Sequence, residues 1–385
     1  MQYQLLTREE AKHITEISEA FYCSKNTVNG YEVEIYNYRL ATYEDFVKND
    51  AYEMRGLTFV LNPMNGEWLR FILLDKFWNI DQVSATLTDV VKDLQIMSVQ
   101  DKLDGSLISF IPFPDGKILA KSKMSFDNDQ AKMAQEYFDK NEGLQKFVAY
   151  ALQDGYMPIF ELVSPKNQIV LQYNETELRL LQIRNNSTGK YLPITYQKTM
   201  ELFEENGVKC AHFFDPALYT VESLNELAQT TEGVEGWVVQ FTNGLKVKKK
   251  TAWYNRLHGS ISEIREDGII ELVLNEQIDD MLAMLNEGSE KRIFVEEIVS
   301  KTAHQFNHLV VEFKELRRKY FQDFEEDRKK FAMKHSKDRL FSPVVKTLNT
   351  SFRDVEATAE GEVKKFILSE TKTLTKARDW LNSFK

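Results

Sequence analysis

A chain of 385 residues, 43% hydrophobic and 28% charged, is long enough for two domains and has the composition of an ordinary soluble globular protein. Its formal net charge of −10 argues against a protein that coats nucleic acid through bulk charge, while leaving room for a local basic groove. Cys23 and Cys210 give neither a disulfide framework nor a metal knuckle, and there is neither a signal-peptide pattern nor a membrane-length apolar run, so a cytoplasmic protein without membrane contact is expected.

Residues 7–22 carry helical signals: Thr7 as a cap, Glu9 and Glu10 in the first turn, and Ile14, Ile17 and Phe21 at helical spacing. From Tyr31 the period changes. Val33, Ile35, Tyr36 and Tyr38, then Phe59, Val60 and Leu61, read as short strands, with a turn at residues 62–66. Arg55-Gly56 immediately precedes one strand and Lys76-Phe77-Trp78 follows the next. Taken singly, these cations read first as surface charges.

The stretch around which the chain is organised is Lys102-Leu103-Asp104-Gly105-Ser106, leading into an apolar strand. A lysine becomes a nucleophile when desolvation or neighbouring cations lower its pKa. The glycine lets the chain pass close to a ligand, and the aspartate can accept from hydroxyls or a metal's water shell. This is the layout of a lysine that attacks a nucleotide's α-phosphate. Alone, Lys-x-Asp-Gly is more often an exposed turn.

A hairpin follows, with its turn at Pro114-Asp115-Gly116, and alternation puts Lys121 and Lys123 on one face. One helix is expected from 129 to 152. Residues 158–163 form a strand with Glu161 inside an apolar run, where a carboxylate needs a partner or a function. Residues 178–183 read as a strand and 195–206 as a helix. Glu235-Gly236 opens another apolar strand, Asn243-Gly244 is a hairpin turn, and Lys246, Lys248 and Lys250 share one face of the return strand. Such a row is a solvated face or a grip for polyphosphate. Beyond Tyr254 the signals are helical: residues 264–285, one long helix over 292–335, and 371–384, with Leu374, Trp380, Leu381 and Phe384 on its apolar side. The boundary near 255 predicts domains 1–255 and 256–385. His304 and His308 lie one helical turn apart without a third metal ligand, and the basic clusters at 317–319 and 328–330, with acids between them, read equally as phosphate contacts or as a salt-laced helix surface.

In order, then, the chain presents Arg55-Gly56, Lys76-Phe77-Trp78, Lys102-x-Asp104-Gly105, Lys121-Ser122-Lys123, Phe160-Glu161, Glu235-Gly236 and Lys248-x-Lys250. This series resembles the covalent nucleotidyltransferases, the polynucleotide ligases and capping enzymes. More closely it resembles the phage-type RNA ligase 1 family, single-strand RNA ligases that reseal broken tRNA anticodon loops. The closer match rests on Tyr36-Asn37-Tyr38, the run from Phe160 to Val170, Thr188-Gly189, Trp253-Tyr254 and Leu257-His258.

The resemblance implies an α+β protein: a nucleotidyltransferase (ATP-grasp-like ligase) domain of antiparallel sheets with flanking helices, then an all-helical C-terminal domain. It implies that Lys102 attacks ATP to give a lysyl-AMP, that AMP passes to an RNA 5′-phosphate, and that a 3′-hydroxyl displaces it. Arg55, Lys76 and Lys123 match phosphate-engaging positions, Asp104 and Gly105 hold the nucleotide, and Lys248 and Lys250 match the pair that grips the triphosphate. Lys246, on the same face, is an alternative member of that pair. Glu161 and Glu235 match the carboxylates of ribose recognition and of the metal's water shell, the metal being Mg²⁺ or Mn²⁺. Implied partners are single-stranded RNA ends, a cleaved tRNA anticodon loop among them, and an end-healing kinase and phosphatase, in the host cytoplasm if the protein is viral. The rival readings are a DNA ligase, a capping guanylyltransferase and a non-catalytic RNA-binding protein on the same fold.

Overall fold

The computed structural model describes residues 5–167, 171, 173–258, 265–283, 285, 290–349 and 355–383. Gln168, Ile169 and Val170 of the matched run, Ile264 and Phe384 lie outside the described residues. The strands, in chain order, are β1 (Phe21–Val28), β2 (Tyr31–Tyr38), β3 (Leu57–Asn62), β4 (Glu67–Phe71), β5 (Trp78–Asn79), β6 (Ile96–Lys102), β7 (Ser106–Pro112), β8 (Ile118–Ser122), β9 (Tyr156–Val163), β10 (Glu177–Asn185), β11 (Phe213–Phe214), β12 (Gly236–Phe241) and β13 (Lys246–Lys250). They form three sheets, ordered β1-β2-β3-β4, β10-β9-β7-β8 and β11-β6-β12-β13-β5. The architecture is α+β, as expected. One edge departs from the antiparallel expectation: β13 and β5 run parallel, with Val247 opposite Trp78 and Lys248 opposite Asn79.

The chain divides into two compact units. The first comprises Met1–Cys23, Thr27–Tyr38 and Tyr43–Ile261 and holds the three sheets. Its core beneath β7, β9 and β10 is apolar, with Ile108, Phe110, Phe160, Leu162 and Leu180 all buried against Ala134, Phe138, Leu144 and Val148 of two helices. A second core joins Val99, Val239, Phe241 and Val247 of the five-stranded sheet to Val221, Leu224 and Ala228 of the helix Val221–Thr230. Burying this apolar surface holds the sheets that carry the polar strand ends.

The second unit comprises Ser24–Asn26, Arg39–Thr42 and Ser262–Lys385. Its long helix Glu290–Gln322 buries Leu309, Val310, Phe313 and Leu316 against Val363, Ile367 and Leu381. Arg39 pairs there with Glu356 and, at 3.7 Å, with Glu360. No described helix is long and apolar enough to cross a membrane.

Several helices are shorter than the periodicity predicts, each for a local reason. The first, Arg8–Ile17, is capped by Thr7 and Glu10 in a capping box, and Phe21 belongs to β1 instead. The expected helix over 129–152 is two, Asp129–Asp139 and Glu142–Gln153, broken at Lys140-Asn141. Over 264–285, Glu276 at φ 57° separates Glu266–Leu274 from Ile278–Ala283. The stretch 292–335 also breaks: Glu325 and Glu326 adopt positive φ, and Asp327 caps Arg328–His335 by accepting from the Lys329 and Lys330 N–H groups. Apolar spacing continues through all these breaks, so periodicity alone does not reveal them.

Candidate active site

Strand register brings the first charges together. Gly236 stands opposite Lys102 on one side and Lys250 on the other. Glu235, just before it, therefore enters the sheet between the ends of β6 and β13. Its Oε1 lies 2.7 Å from Lys102 Nζ and 2.8 Å from Lys250 Nζ, so the two ammonium groups are no farther apart than the sum of those distances. The Glu235 residue is 2% exposed, and its second oxygen, Oε2, is buried without a hydrogen-bond partner. An orphaned carboxylate oxygen in such a place loses solvation that nothing replaces. Gly236 makes the approach possible: at φ 150°, a Cβ there would sit 1.9 Å from the Lys249 carbonyl oxygen.

Beyond Lys102 the chain turns into β7, in a different sheet. Asp104 holds this turn and is itself held. Its Oδ1 accepts from the Tyr254 hydroxyl at 2.8 Å, its Oδ2 from the Leu171 N–H at 2.7 Å, and its own N–H donates to the Tyr173 hydroxyl at 3.2 Å. Gly105 has no room for a side chain, since a Cβ would meet the Leu162 carbonyl oxygen at 2.3 Å. The close approach that the sequence suggested for a ligand is made here by β9.

Glu161 of β9 faces the same region. Burial pushes its carboxyl up to about 8, against the pull of Lys102 and Arg55 and with the push of Glu235 and Asp104. This group therefore carries a proton at neutral pH. Five candidates thus share one electrostatic neighbourhood: Lys102, Arg55, Glu161, Glu235 and Asp104.

A second group of cations gathers on aromatic rings. Lys76 Nζ lies 5.1 Å from the Tyr38 ring centroid, 5.6 Å from Trp78 and 5.7 Å from Phe46, while Lys123 Nζ is 4.9 Å from Tyr38. Arg55 donates to the Leu74 carbonyl at 3.5 Å and stands 5.8 Å from the Phe77 ring. Lys250 rests 4.6 Å from the Tyr254 ring. Lys248, half-buried, sits between Lys246 and Lys250 on β13, opposite Val238 and Asn79.

Two lysines behave differently from the row they belong to. Lys246 is buried, 2.5 Å from Asp75, with its Nζ 3.1 Å from the Tyr191 ring centroid. Lys121, placed by alternation beside Lys123, is instead wholly buried and donates to the Ser122 carbonyl at 2.9 Å and the Lys123 carbonyl at 3.2 Å. Burial, helped by the nearby Lys123 charge, pushes its amine down to about 7. Lys123 lies past the end of β8, so the strand alternation does not reach it. Sequence reasoning also left Tyr173, Tyr191 and Arg184 unassigned. Arg184 carried only a weaker form of the signal used for Glu161, a charge at the end of a largely apolar strand that also holds Arg179. His304 and His308 are exposed, and among the described residues no group of three His, Cys, Asp or Glu side chains could hold a metal ion.

A sequence profile for a family described as RNA ligase matches residues 53–254, a span that contains every candidate from Arg55 to Lys250. Among curated proteins, the chain is 28% identical over 270 residues to a candidate RNA ligase of Thermovibrio ammonificans. That alignment covers 66% of this chain and 66% of the relative, just under two thirds of its length. Among solved structures, an archaeal ATP-dependent RNA ligase aligns over 80% of each chain with a TM-score of 0.46 and 11% identity. A Naegleria gruberi RNA ligase aligns over 47% of this chain and 57% of its own, with a TM-score of 0.36 and 19% identity.

Proposed function

The chain belongs to the RNA ligase family, and from that membership we propose that it is an ATP-dependent ligase joining 5′-phosphate and 3′-hydroxyl ends of single-stranded RNA. The observation that carries this reading is the convergence of Lys102 and Lys250 on one oxygen of a buried glutamate whose other oxygen has no partner.

In this reading Lys102 is the nucleophile. Its Nζ, having given up one ammonium proton to solvent, forms a bond to the α-phosphorus of ATP as the bond from that phosphorus to the α–β bridging oxygen breaks; pyrophosphate leaves, the nitrogen loses a second proton to solvent, and the lysine carries AMP. The RNA 5′-phosphate then displaces the lysine and takes the AMP, and the 3′-hydroxyl of the other end displaces AMP in turn to close the phosphodiester. Glu235 fixes Lys102 Nζ at 2.7 Å before substrate arrives, so the nucleophile need not search rotamers at the moment of attack. Lys250 and Lys248, at the end of the neighbouring strand, meet the negative charge that builds on the phosphate oxygens. Arg55, Lys76 and Lys123 supply further positive charge along the phosphates, oriented by the aromatic faces they stand on. Asp104, through Tyr254 and Leu171, holds the backbone on which Lys102 and Gly105 stand.

A divalent cation fits this donor set. Glu235 Oε2 is an acceptor in want of a donor or an ion, and Glu161 is a second acidic side chain in the same neighbourhood, protonated until a bound cation lowers its pKa. With no three-residue chelate among the described residues, Mg²⁺ or Mn²⁺ would be held largely through water and phosphate oxygens. When bound there, it supplies charge neutralisation on the triphosphate. We take a cleaved tRNA anticodon loop as the natural substrate, its ends prepared by a separate kinase and phosphatase, and the cytoplasm as the setting.

Incubating the protein with a 5′-phosphorylated, 3′-hydroxyl single-stranded RNA, ATP and Mg²⁺ tests this reading. Circular or joined RNA from wild type, and none from Lys102→Ala, is expected. Sealing of nicked DNA but not of RNA would overturn the substrate, and no sealing of either would overturn the activity.

A further inference from the structure

Behind the lysine row lies a cluster of charges with no place in the reaction just described. Glu53, Asp75, Arg184 and Lys246 are each 3% exposed. Arg184 grips Glu53 with two hydrogen bonds, at 2.9 and 2.7 Å, donates to the Leu73 carbonyl, and reaches the Gly189 carbonyl at 3.0 Å. Lys246 donates to Asp75 Oδ1, which also accepts from the Tyr191 hydroxyl. The Tyr191 ring joins the two pairs, with Lys246 Nζ 3.1 Å and Arg184 Cζ 4.7 Å from its centroid. Two acids and two bases cancel one another there. Lys246 and Arg55 also stand on the same Phe77 ring, each at 5.8 Å.

The addresses of these residues give the cluster its meaning. Glu53 is two positions before Arg55, and the Arg55 N–H donates to the Glu53 carbonyl at 2.6 Å. Asp75 is adjacent to Lys76, whose N–H donates to the Tyr52 carbonyl at 2.9 Å. Lys246 opens β13, and Lys248 and Lys250 follow on the same face. Each of three segments that present a phosphate-facing cation therefore sends a neighbouring charged side chain into one buried knot, and Arg184 on β10 ties it to the rest of the sheet system. Cations gathered for a polyanion repel one another until it binds. Opposite charges placed behind them, 3% exposed at the wall of a cavity of about 350 Å³, hold the backbones that carry them.

We propose that the Glu53–Arg184 and Asp75–Lys246 pairs position Arg55, Lys76, Lys248 and Lys250 for nucleotide transfer, and that Lys246 is a positioning residue rather than a third phosphate ligand. The inference rests on the ligase reading above. It predicts a defect in the rate of lysine adenylylation at saturating ATP, because the cations are misplaced in the transition state even when ATP is bound.

The test is self-adenylylation with α-labelled ATP and Mg²⁺, measured as rate against ATP concentration, for wild type, Lys246→Met, Lys246→Arg, Asp75→Asn/Lys246→Met and Tyr191→Phe. Each variant is first checked for a cooperative thermal transition. The proposal expects a tenfold or greater fall in the saturating rate for Lys246→Met with KM for ATP changed less than threefold. It expects recovery of most of that loss in Lys246→Arg, which restores the pair to Asp75, and in the double variant, where neither charge is left alone. Tyr191→Phe, which loses one hydroxyl, should show a smaller fall of the same kind and remains informative if Lys246→Met does not fold. A raised KM for ATP, with the double variant no better than the single, would make Lys246 a phosphate ligand and overturn the proposal. Wild-type rates in folded Lys246→Met and Tyr191→Phe would overturn it too. Absence of label on wild type itself would instead sink the ligase reading, so the two failures are distinguishable.

Discussion

Strand β13 carries two lysine–carboxylate clusters built from the same chemical parts, and they end in opposite states. At its far end Lys250 shares Glu235 with Lys102; side chains there keep 12% and 22% of their exposure, and one carboxylate oxygen has no partner. At its start Lys246 is sealed with Asp75, whose carboxyl burial would raise but which Lys246 and Arg184 hold below its ordinary value. Every charge in that knot has an opposite beside it. We read the difference as that between a structural ion pair and a working one: in the first each charge has its opposite, and the second keeps an acceptor oxygen without a partner.

Substitutions on either side should break the two clusters differently. The largest effect on folding is expected from Arg184→Met, which leaves Glu53 buried and unpaired; it should lower stability by about 3–5 kcal/mol in chemical denaturation. A loss below 1 kcal/mol would mean that water reaches this pair. At the other cluster, Glu235→Gln keeps shape and removes charge. We expect little loss of stability but a fall of roughly 10²-fold in lysine adenylylation, read as labelled protein against time. Equal rates would show that Glu235 is only a strand-end brace.

Glu161→Gln sharpens the contrast through pH. The carboxyl's folded pKa is about 8, raised from an ordinary 4.5, so the folded state holds its proton through that interval. Its stabilising contribution is complete below the unfolded value and is lost as pH rises through about 8. The variant should therefore match wild type near pH 4 and be the more stable of the two above pH 8, in urea midpoints taken at both. The smallest effect is expected at Lys121, whose folded pKa of about 7 lies below the unfolded value of 10.5. The penalty for burying its charge is full below about 7 and is relieved as pH rises toward 10.5. Wild type should gain on Lys121→Met between pH 7 and 9, and a constant difference would place the amine in contact with water.

These two clusters also mark how far the sequence is legible. Period two puts Lys246, Lys248 and Lys250 on one face of a strand, and the register of β12 with β13 bears that out. Period says nothing of depth. Lys246 and Lys250 differ because Asp75 and Tyr191 cover one end of the strand, and no local pattern announces contacts across more than fifty residues. The Lys102 turn, the Glu235-Gly236 strand entrance and the Asn243-Gly244 hairpin are readable because each depends on a glycine or a lone carboxylate in an apolar run. Lys121 was misread since its strand ends one residue later and its amine turns inward to cap two carbonyls. Arg184 was harder to single out, since its strand also carries Arg179 and it stands at the end of the apolar run.

The central claim, that Lys102 is a nucleophile beside a partly unsatisfied Glu235, is tested most directly by locating the bond it forms. Wild type incubated with α-labelled ATP and Mg²⁺, then digested and mapped by mass spectrometry, should carry AMP on the peptide containing Lys102, with an acid-labile bond. Lys102→Ala should carry none, even after pyrophosphate treatment of both proteins to strip AMP already bound. Label on a different lysine, a guanylate from GTP in place of the adenylate, or no covalent nucleotide on wild type would contradict the account.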